Sequence, residues 1–208
     1  MFYLVKTPGW LRRFYGNCTW SMPAEKKKLY FSFDDGPHPV ITPFVLDELK
    51  KYNAKASFFC IGKNVKAYPE VYRRIIEEGH SVGNHSFNHL NGWKHADDKY
   101  LEDIAAAKEY IDSNLFRPPY GRIRKSQLRE IAKEKLALNT IMWTVLSGDF
   151  DQNITPAKCL ENVLNNSKAG SIVVFHDSEK ADSRMRYALR GALEYFAGKG
   201  FEFDRIVK

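Results

Sequence analysis

Cysteine is scarce in this sequence: Cys18, Cys60 and Cys159 stand far apart, with no CxxC spacing among them. That excludes a zinc ribbon and a thioredoxin-type motif and makes free thiols the expectation, with one disulfide beside a free thiol as the alternative. Proline and glycine are modest at 9 and 13 residues, which argues against collagen-like repeats, low-complexity architecture and disorder. Long apolar runs are missing. Met1 to Val5 is too short for a signal-peptide core or a spanning helix, so no export signal or membrane span is expected and a cytoplasmic location is favoured. A nucleic-acid fold signature is also absent. The basic groups Lys26-Lys27-Lys28 and Arg122-Ile123-Arg124-Lys125 read as solvated surface, and no nucleic-acid partner is expected despite a net charge of +7.

What is present is a chain of 208 residues, 44% hydrophobic and 14% aromatic, enough for one well-buried globular unit. From residue 29 onward, β-branched or aromatic runs alternate with helical patterns, the signature of a parallel sheet wrapped by helices. Seven strands are predicted, at 29–33, 56–61, 80–84, 115–117, 138–145, 171–176 and 201–204. Helices are predicted near 43–52, 69–78, 98–112, 126–135, 156–166 and 184–198, with Thr42 as N-cap and Pro43 in the first turn of the first. The fold class is therefore α/β, a distorted, incomplete (β/α)7-type barrel over residues 29–208. Residues 1–28, with Trp10, Arg12, Arg13, Tyr15 and Trp20, read as an N-terminal extension that packs on or beside this domain. Their aromatic and basic character also makes membrane-surface association a partner to consider.

Parallel β/α barrels carry their chemistry on loops beyond the C-terminal strand ends. Asp34-Asp35, His85 with His89, Arg117 and His176 fall at those positions. Two adjacent carboxylates after an apolar strand need a compensating charge, and a cation supplies it. His85 and His89, four apart, face one direction on a helix or helical turn and close on one metal together with Asp35. Three protein ligands leave a coordination position open, the arrangement of catalytic zinc. Asp34 is then placed to accept a proton from water.

Ser32-Phe33-Asp34-Asp35-Gly36-Pro37, Asn84-His85-Ser86-Phe87-Asn88-His89 and Phe116-Arg117-Pro118-Pro119-Tyr120-Gly121 resemble successive motifs of the polysaccharide deacetylases (carbohydrate esterase family 4). Ala56-Ser57-Phe58-Phe59 and Val174-Phe175-His176-Asp177 follow in the same order. The resemblance covers Leu29 to the C-terminus, and implies an incomplete β/α barrel holding one divalent metal, zinc or a similar ion, that removes acetyl groups from N-acetylated carbohydrate. It implies Asp35, His85 and His89 as metal ligands, Asp34 as general base, His176 as general acid and Arg117 as the group that orients Asp34. Tyr120 would supply a backbone N–H to the oxyanion, and Pro118, Pro119, Tyr120 and Phe150 would line the substrate.

The chain departs from the family pattern in the stretch Trp143 to Phe150. Leu146 stands where the family has the first of two aspartates, expected to pair with the general-acid histidine, and Asp149, Asp151 and Asp177 are candidate substitutes. Phe150 replaces a tryptophan, keeping an apolar wall without the indole N–H. A divergent substrate, a small non-sugar amide, or a catalytically silent glycan-binding protein are the rival readings. Outside the catalytic set, His80 reads as structural, His38 and His95 as loop histidines, and Trp93 as either a sugar platform or a core cover.

Overall fold

The computed structural model describes residues 3–133 and 136–208, as strands and helices in alternation. Strands β1 (Lys28–Asp34), β2 (Ser57–Cys60), β3 (Ser81–Asn84), β4 (Leu115–Phe116), β5 (Asn139–Thr140), β6 (Val145–Leu146) and β7 (Ile172–His176) form one sheet in the order β5-β4-β3-β2-β1-β7-β6. Every pairing is parallel, and β8 (Glu202–Phe203) joins β1 alone. This is the distorted, incomplete (β/α)7 barrel expected from the alternation.

The central strand explains its own position. Leu29 to Phe33 is a nearly continuous apolar run, which suits a strand buried on both faces between parallel neighbours. Phe33 stacks on Phe58 of β2 and on Phe175 of β7, with ring centroids 5.0 and 5.7 Å away. Helices α2 (Ile41–Lys51), α7 (Pro156–Asn166) and α8 (Asp182–Gly198) bury their apolar stripes against that layer. Removing one such phenyl ring would cost about 3–5 kcal/mol.

Register does the positioning. Asp34 pairs with His176 of β7, while Asn84 pairs with Cys60 on one side and Phe116 on the other. The residues that leave these strand ends, Asp35, His85 and Arg117, therefore emerge on one edge of the sheet.

The expected strand at 138–145 is two strands on opposite edges. The chain between Thr140 and Val145 passes from one edge to the other, so it cannot continue a single ladder. The N-terminal segment gives it partners instead. Thr19 N–H donates to Thr140 O (2.9 Å), Met142 N–H to Thr19 O (2.7 Å), Thr7 N–H to Thr144 O (2.9 Å) and Leu146 N–H to Val5 O (2.8 Å). Edge groups that would otherwise stay unpaired are thereby satisfied.

Helix boundaries differ in places. The first predicted helix begins at Ile41, ahead of Thr42, whose hydroxyl is drawn away from capping to Asp177. The helix expected at 98–112 is α5 (Asp97–Lys108), and that expected at 126–135 is α6 (Lys125–Ile131); Glu134 and Lys135 lie outside the described residues. Two short helices were not expected: α1 (Gly9–Phe14), which leaves Trp10 and Phe14 exposed, and α3 (Gly62–Ala67), which precedes α4 (Pro69–Glu77). All three cysteines are free and buried. No described helix is long and apolar enough to cross a membrane.

Candidate metal and catalytic site

The Asp35, His85 and His89 side chains each aim one ligand atom at a common point, all within 4.8 Å of one another. Nε2 of His85 lies 3.8 Å and Nε2 of His89 3.2 Å from Asp35 Oδ1. The two histidines do not share a helix. They sit in the loop after β3, where left-handed Ser86 and His89 (φ 61° and 59°) wind the chain until both rings face Asp35. Asp35 is itself left-handed (φ 83°). Such backbone is costly for non-glycine residues and persists only where the surroundings fix it.

Those surroundings are specific. Asp103 on α5 accepts the N–H groups of Phe87 and Asn88 (3.1 and 3.0 Å) and the Asn88 side-chain amide (2.6 Å), pinning the histidine loop. Asn64 Nδ2 donates to Asp35 O at 2.7 Å. Gly36 N–H donates to Asp177 Oδ1 at 3.0 Å, the Thr42 hydroxyl donates to Asp177 Oδ2, and a Cβ at Gly36 would overlap that carboxylate. Burial pushes the Asp177 carboxyl up to about 7 against these hydrogen bonds.

The second nitrogen of each histidine is engaged. His85 Nδ1 meets Arg117 O at 2.7 Å and must donate to it, which leaves Nε2 as a lone pair facing Asp35. His89 Nδ1 meets the Tyr120 hydroxyl at 3.1 Å. Burial lowers His85 to about 4, so it is neutral, as a ligand must be, at ordinary pH. Burial alone would raise Asp35, but the His89 hydrogen bond and the charge of His176 outweigh it and hold this carboxyl below the usual range. Two imidazole nitrogens and one carboxylate oxygen fit a divalent metal of the zinc type.

Asp34 turns the other way. Its Oδ1 accepts Arg117 Nη1 at 2.7 Å, and Nη1 also reaches the Ser32 hydroxyl at 2.8 Å. Arg117 is fully buried, its guanidinium 3.9 Å from the centre of the Phe59 ring, with Nε and Nη2 donating to Ile141 O (3.2 Å) and Met142 O (3.3 Å). A cation so enclosed has one orientation, and the carboxylate it grips has one as well.

His176 is gripped from its own side. Asp149 Oδ1 lies 2.8 Å from His176 Nδ1, and Asp149 Oδ2 accepts the His176 backbone N–H at 2.7 Å. Burial would depress His176, but Asp149, with Asp35 and Asp34 adding, raises it to about 10. Of the three candidate substitutes for the carboxylate that Leu146 replaces, Asp149 is therefore the one that meets this histidine. Leu146 is buried in β6, Asp149 is the partner, Asp177 is committed to Gly36 and Thr42, and Asp151 caps the turn at Asn153. Phe150 sets its ring edge-on to His176 at 5.3 Å and is backed by Tyr3 at 5.0 Å.

The Arg117 to Gly121 loop completes the rim. Pro118 and Pro119 are buried beneath it, while Tyr120 (φ 60°) is exposed, its ring 4.5 Å from that of His89. Ser32, Asn64 and Asp103 escaped the sequence reading. A hydroxyl within an apolar strand, and an acid beside the apolar stripe of α5, were the signals available. His80 is structural: its Nδ1 accepts Ala56 N–H at 3.1 Å, and its ring packs on Phe58. His38 accepts the N–H groups of Val40 and Ile41, and His95 bonds Asn91 O. Trp93 is half exposed, with its indole N–H donated to Ile123 O at 3.1 Å.

A two-histidine, one-carboxylate cluster that could hold a metal ion thus lies on a β/α barrel, flanked by an Arg-held aspartate and an Asp-held histidine. Comparison with known proteins makes this particular: the family model for polysaccharide deacetylase matches residues 21–138, and the chain belongs to that family. It is 35% identical over 197 residues to a peptidoglycan-N-acetylglucosamine deacetylase of Bacillus cereus, covering 92% of each chain. It is 32% identical over 177 residues to a chitooligosaccharide deacetylase of Azorhizobium caulinodans, covering 80% of this chain and 81% of that one. Among solved structures, the Bc1960 peptidoglycan N-acetylglucosamine deacetylase superposes with a TM-score of 0.86 at 31% identity, over 96% of this chain and 95% of that one.

Proposed function

We propose that this protein removes the acetyl group from an N-acetylated amino sugar in a glycan or glycoconjugate, using one divalent metal ion, zinc by its donor set. The observation that carries the reading is the meeting of three devices on one strand edge: the Asp35–His85–His89 triangle, the Asp34–Arg117 pair and the His176–Asp149 pair. A bound zinc would supply a Lewis acid and ease the deprotonation of water at this point.

The protein's own residues account for the rest. As water oxygen adds to the acetamide carbonyl carbon, Asp34 takes the water proton, its carboxylate fixed by Arg117. The carbon–nitrogen bond then breaks as His176 gives its proton to the amine nitrogen, and acetate and the free amino sugar leave. An imidazolium raised to about 10 is charged throughout the neutral range and so carries that proton ready for delivery. The Tyr120 backbone N–H would stabilise the oxyanion, while Tyr120, Phe150 and the buried Pro118 and Pro119 would shape the wall for the acetyl methyl and sugar ring. The intact His176–Asp149 pair favours turnover over a silenced glycan binder.

Acetate release from N-acetylglucosamine tetramer tests this directly, with metal-free and zinc-reconstituted protein side by side. Release that appears only with zinc is expected. A zinc-loaded protein that releases no acetate from any N-acetylated glycan, but hydrolyses a small amide, would overturn the substrate class.

A further inference from the structure

Beside the Tyr120 loop lies a cavity of about 100 Å³, separate from the metal-ligating triangle and walled mainly by Tyr15, Trp20, Trp93, Gly121, Arg122 and Met142. Arg122 is the one charged residue lining it. Its guanidinium lies 4.2 Å from the centre of the Trp93 ring, and the indole is itself fixed by its bond to Ile123 O. No carboxylate among the described residues pairs with this guanidinium. Arg124, two residues on, shows the contrast: it pairs with Asp97 at 2.8 Å and donates to the carbonyls of His95 and Trp93.

The position matters as much as the charge. Arg122 is two residues past Tyr120, whose hydroxyl touches the metal-ligating His89. A glycan with its acetamide at the triangle and its chain crossing the exposed Tyr120 ring would bring a neighbouring sugar to this cavity. Apolar walls with one flat, unpaired guanidinium match a substituent with a short apolar arm ending in a carboxylate, which arginine binds through two parallel hydrogen bonds.

We infer that Arg122 is a specificity residue that binds a carboxylate carried by the sugar next to the one deacetylated, with the cavity taking the arm that bears it. This rests on the deacetylase reading above. The surface alternative is an arginine that merely covers Trp93.

The test uses the full zinc-loaded chain and three glycans: N-acetylglucosamine tetramer, a tetrasaccharide alternating N-acetylglucosamine with N-acetylmuramic acid, and the methyl ester of the latter. For the wild type, esterification is expected to lower kcat/KM roughly tenfold through KM, the scale of one charge-assisted contact. Arg122→Gln is expected to bring the acid-to-ester ratio near one, and Arg122→Lys to keep part of the preference. A wild type indifferent to esterification overturns the inference without needing any variant, and so does an Arg122→Gln protein that weakens acid and ester alike. Binding of the same glycans, followed by tryptophan fluorescence, separates the two readings. Acid-over-ester binding without acetate release would overturn the deacetylase reading and leave Arg122 standing; release without preference would overturn Arg122 alone.

Discussion

Asp149→Asn keeps the shape of the side chain and removes its charge. In the native site one carboxylate oxygen receives the His176 backbone N–H and the other the Nδ1 proton, so both accept. An amide has one acceptor. With its oxygen kept on the backbone, its NH₂ faces Nδ1 and favours the neutral ring with an unprotonated Nδ1. A buried, charge-assisted hydrogen bond of this kind contributes about 2–3 kcal/mol, which at about 1.36 kcal/mol per pH unit moves His176 down by roughly two pH units. The sign follows from His176 being raised in the folded state, to about 10 from 6.5. Its contribution to stability is complete below about 6.5 and disappears as pH rises through about 10. In the wild type, the alkaline limb of kcat/KM should therefore lie near pH 10. In Asp149→Asn that limb should fall toward neutrality, and the stability difference between the two proteins should be full at pH 6 and shrink by pH 10. An unchanged alkaline limb in the variant would refute the assignment of His176 as the charged acid held by Asp149.

Arg117→Met leaves Asp34 buried without its partner and frees the carbonyls of Ile141 and Met142, so urea unfolding should show a loss of about 3–5 kcal/mol; a loss below about 1 kcal/mol would contradict the pairing. Gly36→Ala should force Asp177 away and tilt the left-handed Asp35, lowering zinc affinity by at least roughly tenfold in a competition titration with a chelator. Asp103→Ala releases three donors of the histidine loop, and a similar loss of zinc affinity is expected with Asp34 and Arg117 undisturbed. Stripping zinc should lower the unfolding free energy by an amount set by free metal over its dissociation constant, about 2.7 kcal/mol at a hundredfold excess, and with it the melting temperature.

The alternation of short apolar runs with helical stripes made the barrel legible, because strands buried on both faces and helices buried on one leave different periods in the sequence. The motif residues were legible because polar groups after apolar strands are conspicuous. What failed were features decided by tertiary contact. Residues 138–145 are rich enough in β-branched and apolar side chains for one strand, yet the barrel's two edges divide them, and only the N-terminal segment reveals why. Thr42 followed by Pro43 reads as a cap, until a buried carboxylate at Asp177, 135 positions on, takes the hydroxyl. The four-residue spacing of His85 and His89 suggested a helical face, but left-handed Ser86 and His89 reach the same convergence from a loop held by Asp103. The identity of His176's partner depends on how the chain turns after β6, which spacing alone does not encode.

The most direct measurement sets wild type and Asp34→Asn side by side, counting zinc per chain and acetate released from N-acetylglucosamine tetramer. One zinc per chain in both proteins, with release slowed by roughly a hundredfold to ten-thousandfold in the variant, is the expected result. Undiminished release by Asp34→Asn, or a wild type that binds no zinc, would contradict a metal-assisted deacetylase in which Asp34 takes the water proton.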